Sequence, residues 1–202
     1  MKNVNKQLTH RERQALATQQ IIQEAARKLF REPGYGLTTI EAISEQAGVA
    51  VSTVYSIYKN KRGILRAIRE AWHQESGQRE VFKAALNESD PERRVELFAR
   101  GTRCQWETSA DMMAIYLGAA AVDPEAAAEL KEALAGRRTN LSRNIGETAA
   151  MLRPGLTPER AAAIYLALTR AEVYLELVEV FGWSPDDYEA WLADTLKQQL
   201  LP

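Results

Sequence analysis

Four hydroxyl side chains and three basic ones follow one another closely in the second quarter of this 202-residue chain. Hydroxyl groups donate hydrogen bonds to phosphate oxygens, and basic side chains add charge attraction. The chemistry that this group favours is the noncovalent binding of a phosphate backbone, with a merely solvated polar surface as the alternative. The group consists of Ser52, Thr53, Tyr55, Ser56, Lys59, Lys61 and Arg62.

Catalytic chemistry has few candidate residues in this sequence. The chain contains two histidines, His10 and His73, and a single cysteine, Cys104. No spacing typical of a zinc site or of a phosphate-binding glycine loop is present. One cysteine excludes an internal disulfide framework and is typical of a reducing cytoplasm. We therefore predict a protein that is not an enzyme, needs no cofactor or metal, and is cytoplasmic.

Two short helices joined by a glycine turn are predicted to position the phosphate-binding group. Apolar residues recur at helical spacing in residues 40–47 and again in residues 51–58. Between them, Gly48 allows the left-handed backbone that ends a helix. Thr38 and Glu41 have the spacing of a capping box at the start of the first helix. Helix, tight turn and helix is the arrangement whose second helix can enter a DNA major groove.

Charge is distributed unevenly along the chain. Residues 1–70 contain 12 Lys and Arg against 6 Asp and Glu, whereas residues 71–202 contain 14 against 21. A basic N-terminal part on an acidic remainder favours a polyanionic partner for the N-terminal part. A solvated basic surface without a partner is the alternative.

Two motifs flank the predicted turn. The first, T-T-I-x-x-I-x-x-x-A-G-V, begins at Thr38, and the second, S-T-V-Y-x-x-Y-x-x-K-x-x-I-L, begins at Ser52. Together they make residues 15–70 resemble the N-terminal domain of TetR-family transcriptional regulators. The remaining chain resembles the family in its length, its helical character and its tail motif G-W-S-P-D-D-Y-E-A-W-L.

The resemblance implies which residues contact DNA. The implied phosphate contacts are Thr39, Thr53, Tyr55 and Lys61. The implied base-facing residues are Glu41, Val51, Ser52, Ser56 and Ile57. Ala50 and Ile57 depart from the family pattern, in which serine and histidine are usual at these positions. Because alanine at residue 50 cannot cap the second helix of the pair, the missing cap costs about 1 kcal/mol of stability.

The predicted fold class is all-α, with about nine helices. The domains are a disordered N-terminal arm at 1–10, a three-helix helix-turn-helix DNA-binding domain at 11–65, and a helical effector-binding and dimerisation domain at 66–202. One helix is expected from residue 61 or 62 to about 85, and another from 157 to about 181. No apolar run reaches about 18 residues, so no membrane partner is predicted.

The last two predicted helices have apolar stripes that, by resemblance, pair with those of a second subunit. An intramolecular core is the alternative for both stripes. The predicted dimer-interface residues are Ile164, Leu168, Leu175, Val178, Tyr188, Trp191, Leu192 and Leu196.

In the TetR family, the helical domain that follows the DNA-binding domain usually binds a small molecule. Large, adaptable side chains in residues 66–202 are the candidate contacts for such a molecule. Plain core packing is the alternative for each. The candidate ligand-binding residues are Trp72, Phe98, Trp106, Met113, Tyr116, Tyr165 and Tyr174. Arg103, Arg170 or Glu172 could anchor a charged group of the ligand.

These observations predict a homodimeric transcriptional regulator, most simply a repressor. It would bind a palindromic double-stranded DNA operator and be released by a small, mostly apolar effector. The alternative is a helical adaptor that binds a protein partner without DNA. Reversing the charge of Lys61 is the test that the sequence suggests, since only DNA binding would need that cation.

Overall fold

The computed structural model describes residues 9–108 and 110–202, and within these ranges it contains eleven α-helices and no strand. The predicted all-α fold is thus confirmed. None of the helices in the two ranges combines the length and the apolar character needed to cross a bilayer. The described chain divides into two compact units, one up to Glu70 and one from Ala71 to Pro202. The sequence placed this boundary five residues earlier, after residue 65.

The first unit contains three complete helices and most of a fourth. Helix α1 spans His10–Leu29 and is followed by one π-helical turn, Phe30–Gly34. Helix α2 spans Ile40–Ala47, α3 spans Val51–Tyr58, and α4 spans Lys61–Glu75. The predicted helix-turn-helix arrangement is therefore present.

Helix α1 begins with a capping box. The hydroxyl of Thr9 accepts from the backbone N–H of Glu12, and the Glu12 carboxylate accepts from the backbone N–H of Thr9. Because of this cap the helix starts at His10, a residue that the sequence assigned to the disordered arm. The rest of the predicted arm, residues 1–8, lies outside the described residues.

The predicted capping box of α2 is wrong by one residue. Thr39 is the cap, and its hydroxyl accepts from the backbone N–H of Ala42 at 3.1 Å. Thr38 is buried instead, and its hydroxyl donates to the carbonyls of Leu29 and Gly34. Thr38 therefore ties the start of α2 to the end of α1, a tertiary role that sequence spacing does not show.

The second unit contains the remaining seven helices of the described chain. They are α5 Gln78–Asn87, α6 Pro91–Glu107, α7 Asp111–Ala120, α8 Pro124–Glu147, α9 Pro158–Leu168, α10 Ala171–Leu175 and α11 Pro185–Leu200. A 3₁₀ turn, Ala149–Met151, follows α8, and a π-helical turn, Glu176–Val180, follows α10.

Four helices of the second unit begin at an oxygen-bearing cap followed directly by proline. Proline lacks an N–H, which the first turn of a helix does not need, and its fixed φ suits the helix. These starts were therefore readable from the sequence. The caps are Asp90, Asp123, Thr157 and Ser184.

Two helix breaks were not expected from the sequence. Gly77, with a left-handed φ of 64°, separates α4 from α5 where one continuous helix was predicted. The second break lies between Leu168 and Ala171, inside the helix predicted for residues 157–181. It leaves the carbonyl of Thr169 free to accept from side chains of other helices.

Helix α6 lies at the centre of the second unit and packs against α5 and α11. Gly101 lets α5 approach, since a Cβ there would come within 2.5 Å of the Phe82 ring. Toward α11, the side chains of Tyr188, Leu192 and Leu196 are completely or almost completely buried. These three side chains form the core of their own unit, as the intramolecular alternative expects, and their place in a dimer interface stays a prediction.

Candidate functional site

Helix α3 presents a polar face to solvent. The side chains of Ser52, Tyr55 and Ser56 are exposed, and so is Lys59 directly after the helix. Val54, on the opposite side, is completely buried and holds the helix in the unit. This orientation puts hydroxyl groups and a cation where a nucleic-acid backbone can reach them.

Tyr58 fixes the end of α3 against α1. Its hydroxyl donates to the carbonyl of Gln19 at 3.2 Å and accepts from the side-chain amide of Gln23 at 3.0 Å. Burial raises the pKa of Tyr58, opposed by the bond from Gln23, so the hydroxyl stays protonated and can donate. Gly63 lies so close that a Cβ there would overlap the carbonyl oxygen of Tyr58. The orientation of α3 thus depends on a close backbone approach.

The two ends of α3 differ from those of most helices. Ala50 has the extended backbone of an N-cap, but it makes no side-chain hydrogen bond, as the sequence predicted. Lys59 has a φ of 65° and is the only non-glycine residue with a left-handed φ in the described ranges. Such a backbone conformation is unusual for residues other than glycine, asparagine and aspartate. Lys59 belongs to the phosphate-binding group that the sequence predicted, although the contacts implied by the family resemblance do not include it.

Lys61 is held by the first unit itself. Its ammonium donates to the carbonyls of Tyr35 and Thr38, and it lies 4.2 Å from the centre of the Tyr35 ring. The side chain is half-buried. Lys61 therefore stabilises the loop before α2, and reversing its charge would disturb the fold as well as any DNA contact. The sequence-based test at Lys61 does not separate the two functions.

The remaining predicted DNA contacts are accessible at least in part. Thr39 and Glu41 are exposed at the start of α2. Val51, Thr53 and Ile57 are half-buried along α3. Their positions meet the requirement of access, and their contacts with DNA stay a prediction.

The candidate ligand-binding residues of the second unit are packed into an aromatic core. The rings of Trp72 and Trp106 are stacked with their centres 6.3 Å apart, and both side chains are buried. The indole N–H of Trp72 donates to two oxygens near the end of α6. Tyr116 and Tyr174 are buried and Met113 is half-buried. A ligand role for these residues stays a prediction.

An apolar cleft of about 60 Å³ opens between α6, α8, α9 and α11. Two predicted ligand contacts, Phe98 and Tyr165, line it, and their rings meet edge to face at 5.8 Å. Its other apolar walls include Val95, Leu141, Ile145, Leu152 and Leu200.

Polar side chains converge on the break between α9 and α10. The carbonyl of Thr169 accepts from the Trp106 indole at 3.1 Å and from the Arg137 guanidinium at 3.2 Å. Arg137 also donates to the Thr169 hydroxyl at 3.0 Å, and that hydroxyl donates to the carbonyl of Tyr165 at 2.8 Å. Arg137 is therefore drawn from a largely exposed helix toward the core, which its sequence context did not reveal.

Tyr188, on α11, has an unused hydroxyl group. Its ring meets that of Tyr174 edge to face, with centres 4.9 Å apart. The side chain is fully buried, and its hydroxyl has no hydrogen-bond partner in the described part of the chain. Burial raises the pKa of Tyr188, so the group is a neutral donor.

The predicted anchors for a charged ligand group are engaged by the protein. Arg170 and Glu172 pair with each other at 2.7 Å. Arg103 is paired with three carboxylates, which is why it does not serve as a free anchor. They belong to Glu107, Asp186 and Glu189.

The predicted dimer residues that are not in the core are half-buried. They are Ile164, Leu168, Leu175, Val178 and Trp191. Two apolar side chains that follow Val178 closely in sequence, Val180 and Phe181, are 68% and 67% exposed. Their exposure is unusual for side chains of this type and favours contact with another protein surface.

Comparisons with known proteins agree with this arrangement. Residues 22–68 match the sequence model described as "Bacterial regulatory proteins, tetR family". No curated protein matches the chain by sequence. Among solved structures, the chain is similar to NalD from Pseudomonas aeruginosa, the secondary repressor of the MexAB-OprM multidrug efflux pump. That pair is 20% identical, with a TM-score of 0.69 and coverage of 94% of this chain and 98% of NalD.

Two similar structures contain ligands. SmeT in its complex with triclosan is 22% identical, with a TM-score of 0.71 and coverage of 92% of each chain. The transcriptional regulator FadR from Bacillus subtilis, in complex with stearoyl-CoA, is 19% identical, with a TM-score of 0.64. The match covers 88% of this chain and 96% of FadR. At these identities the structures show a shared fold.

Proposed function

This chain belongs to the TetR family of bacterial regulatory proteins, and we propose that it works as a ligand-responsive repressor of transcription. The proposal rests chiefly on α3, whose exposed hydroxyl groups lie on a helix anchored by Val54 and Tyr58. A helix so held can enter the major groove as a rigid body. The exposed Lys59 adds a charge for the phosphate backbone.

We further propose that the protein acts as a homodimer on a palindromic operator. One helix-turn-helix buries little surface on DNA, and two-fold sites reward two of them. The half-buried residues Ile164, Leu168 and Trp191, together with the exposed Val180 and Phe181, are the proposed pairing surface. The fully buried stripe of α11 is not part of it.

The proposed effector is a small, mostly apolar molecule. The aromatic residues and the apolar cleft of the second unit offer such a molecule suitable surroundings. The ligands of two proteins with the same fold, triclosan and stearoyl-CoA, each include a large apolar part, which in stearoyl-CoA is the acyl chain. Effector binding would favour a conformation in which two DNA-binding units no longer match successive major grooves, about 34 Å apart.

A mobility shift tests DNA binding directly. The full-length protein is mixed with DNA flanking its own gene and with random competitor at two salt concentrations. We expect specific retention that weakens at the higher salt concentration, because phosphate contacts release counterions. If flanking DNA fails, selection from random DNA seeks the operator, and failure of both would favour the adaptor that binds a protein instead.

Variants make the mobility shift specific to α3. Tyr55→Ala removes a side chain that is 47% exposed, so the fold should be unaffected while DNA affinity falls. Leu117→Ala is the matched control, since Leu117 is 49% exposed on α7 of the second unit. Equal affinity of Tyr55→Ala and the control for the operator would contradict the proposed role of α3.

A further inference from the structure

We propose that the apolar cleft between α6, α8, α9 and α11 binds a molecule with one carboxylate on an apolar chain or ring, and that Arg94 in the wall of the cleft receives the carboxylate. This inference rests on the proposed function, because it names the chemical class of the effector and the side chain that selects it. It is drawn from a cation that lines an otherwise uncharged cleft and has no carboxylate partner among the described residues.

Arg94 is the charged member of the cleft wall. Twelve described residues line the cleft, and Arg94 is the one among them that carries a charge, whereas most of the others are aliphatic or aromatic. A ligand in the cleft therefore has apolar neighbours along its length and a guanidinium at one place. This asymmetry suits a molecule with a single anionic group, because its apolar part leaves water while its charge keeps a partner.

The guanidinium of Arg94 is only partly used by the protein. Its Nη2 donates to the carbonyl of Leu86 at 2.7 Å, and its Nη1 donates to the thioether sulfur of Met151 at 3.7 Å. A thioether is a weak acceptor, whereas the planar guanidinium matches a carboxylate with two parallel hydrogen bonds. A ligand carboxylate can therefore replace the sulfur of Met151, which also lines the cleft, while the bond to Leu86 remains.

The acidic side chains in the same part of α6 are engaged by other cations. Glu96 pairs with Arg93 and with Lys197 of α11, both at 2.8 Å. Glu92 pairs with the same lysine at 3.6 Å. These ion pairs leave Arg94 without a carboxylate among the described residues, although acidic side chains are close to it in sequence. Its charge is thus available to an anion in the cleft.

The ligand preference of the unmodified protein is the first measurement. Butanoic, hexanoic, octanoic and 3-phenylpropanoic acids are each compared with the alcohol and the amine of the same skeleton. Calorimetric titration of the full-length protein is done at about pH 7, where the acids and amines are charged. We expect at least one acid to bind about 10-fold more tightly than its alcohol, and its amine to bind weakest of the three. If no acid binds more tightly than its alcohol and its amine, the inference is overturned.

Arg94→Met removes the charge and keeps an unbranched side chain. In this variant we expect the acid and its alcohol to bind about equally. Because the result is a ratio of two affinities in one variant, a lower stability from the lost bond to Leu86 does not change its meaning. In Arg94→Lys we expect an intermediate preference, since an ammonium keeps the charge without the planar fork.

Arg138→Met is the matched control. Arg138 is exposed on α8 and does not line the cleft, so this variant loses the same charge from the same unit. We expect it to keep the wild-type preference for the acid. An unchanged preference in Arg94→Met, or an equal loss in both variants, would contradict the assigned role of Arg94.

The methyl resonance of Met151 locates the ligand independently of any change at Arg94. Met151 lines the cleft, whereas Met112 is buried in α7 and is not part of the cleft wall. In protein with isotope-labelled methionine methyl groups, assigned by Met151→Leu and Met112→Leu, we expect the acid to shift the Met151 resonance far more than that of Met112. An acid that binds without shifting the Met151 resonance occupies another site, which would refute the assignment of the cleft.

All of these measurements use the protein without DNA. If an acid binds as expected and no DNA is bound specifically, the proposed repressor function fails and the assignment of the cleft stands. If DNA is bound specifically and no acid is preferred, the assignment of the cleft fails and the DNA-binding function stands.

Discussion

Replacing Gly63 by alanine tests how the DNA-binding unit is built. Gly63 lies in the first turn of α4, where its backbone N–H donates to the side chain of Asn60 at 2.8 Å. A Cβ at this position would overlap the carbonyl oxygen of Tyr58. The overlapping atom belongs to the backbone, so it cannot rotate away as a flexible side chain could.

Two opposing effects decide the sign of the change in stability. Alanine in a helix is favoured over glycine by about 1 kcal/mol. Forcing an extra carbon into a closely packed site typically costs about 1–3 kcal/mol, and an overlap with backbone belongs at the upper end. We therefore expect Gly63→Ala to reduce the free energy of unfolding of the first unit by about 1–2 kcal/mol. For a unit of this size, the melting temperature would fall by roughly 5–15 °C.

Gly136→Ala is the matched control. Gly136 lies within α8, and nothing lies within 4 Å of where its Cβ would be. The same substitution in this open position should raise stability by about 0.4–1 kcal/mol. The two variants therefore differ in sign although their chemical change is identical.

The assay must separate the two units. The chain has four tryptophans, and all of them lie in the second unit: Trp72, Trp106, Trp183 and Trp191. Tryptophan fluorescence therefore follows the unfolding of the second unit, while amide hydrogen exchange in α2 and α3 follows that of the first. If the amides of α2 and α3 were as well protected from exchange in Gly63→Ala as in the wild type, the close approach of Gly63 to Tyr58 would not exist in solution.

Three other predictions concern charges and caps. Lys59→Met should leave the stability of the first unit unchanged. It should reduce the slope of log affinity against log salt concentration by about 1 for each DNA-binding unit, measured by mobility shifts at several salt concentrations. Lys61→Met should instead lower the protection of the first unit from hydrogen exchange, because Lys61 bonds to the loop before α2. Ala50→Ser should supply the missing cap and stabilise the first unit by about 1 kcal/mol, measured by the same exchange; no gain would contradict the extended backbone at this position. A hydrogen bond from Lys197 lowers the pKa of Glu96, so this carboxylate stabilises the fold fully at about pH 7 and loses its effect as the pH falls below about 4. Between these pH values, the free energy of unfolding measured in urea should therefore fall less for Glu96→Gln than for the wild type.

The sequence predicted helices best where their ends are local. Asp90, Asp123, Thr157 and Ser184 cap helices through their own neighbours, and a proline marks each start. The helix-turn-helix was predictable for the same reason, since Gly48 has the left-handed backbone that ends α2.

Features that depend on distant residues could not be predicted. The cap of α2 was misplaced because Glu41 follows Thr38 at capping-box spacing, whereas the Thr38 hydroxyl is used by the carbonyls of Leu29 and Gly34 and Thr39 caps the helix instead. The stripe of Tyr188, Leu192 and Leu196 has the same pattern whether it faces a second subunit or its own core. Arg137 could not be distinguished from a surface arginine, because its partner is the carbonyl of Thr169. That carbonyl is free only because the helix breaks after Leu168, and no turn-forming residue in the sequence marks this break.

The shared acceptor at Thr169 gives the second unit redundancy. A carbonyl oxygen has two lone pairs, and here one is used by the Trp106 indole and the other by the Arg137 guanidinium. If either donor is lost, the oxygen keeps a hydrogen bond, and only the loss of both leaves a buried acceptor unsatisfied, at about 1–3 kcal/mol. The destabilisation caused by losing both donors should therefore exceed the sum of the destabilisations caused by losing each one alone. Loss of the Arg137 guanidinium is therefore buffered at this acceptor as long as the Trp106 indole remains, whereas loss of the buried Trp106 side chain also leaves a cavity.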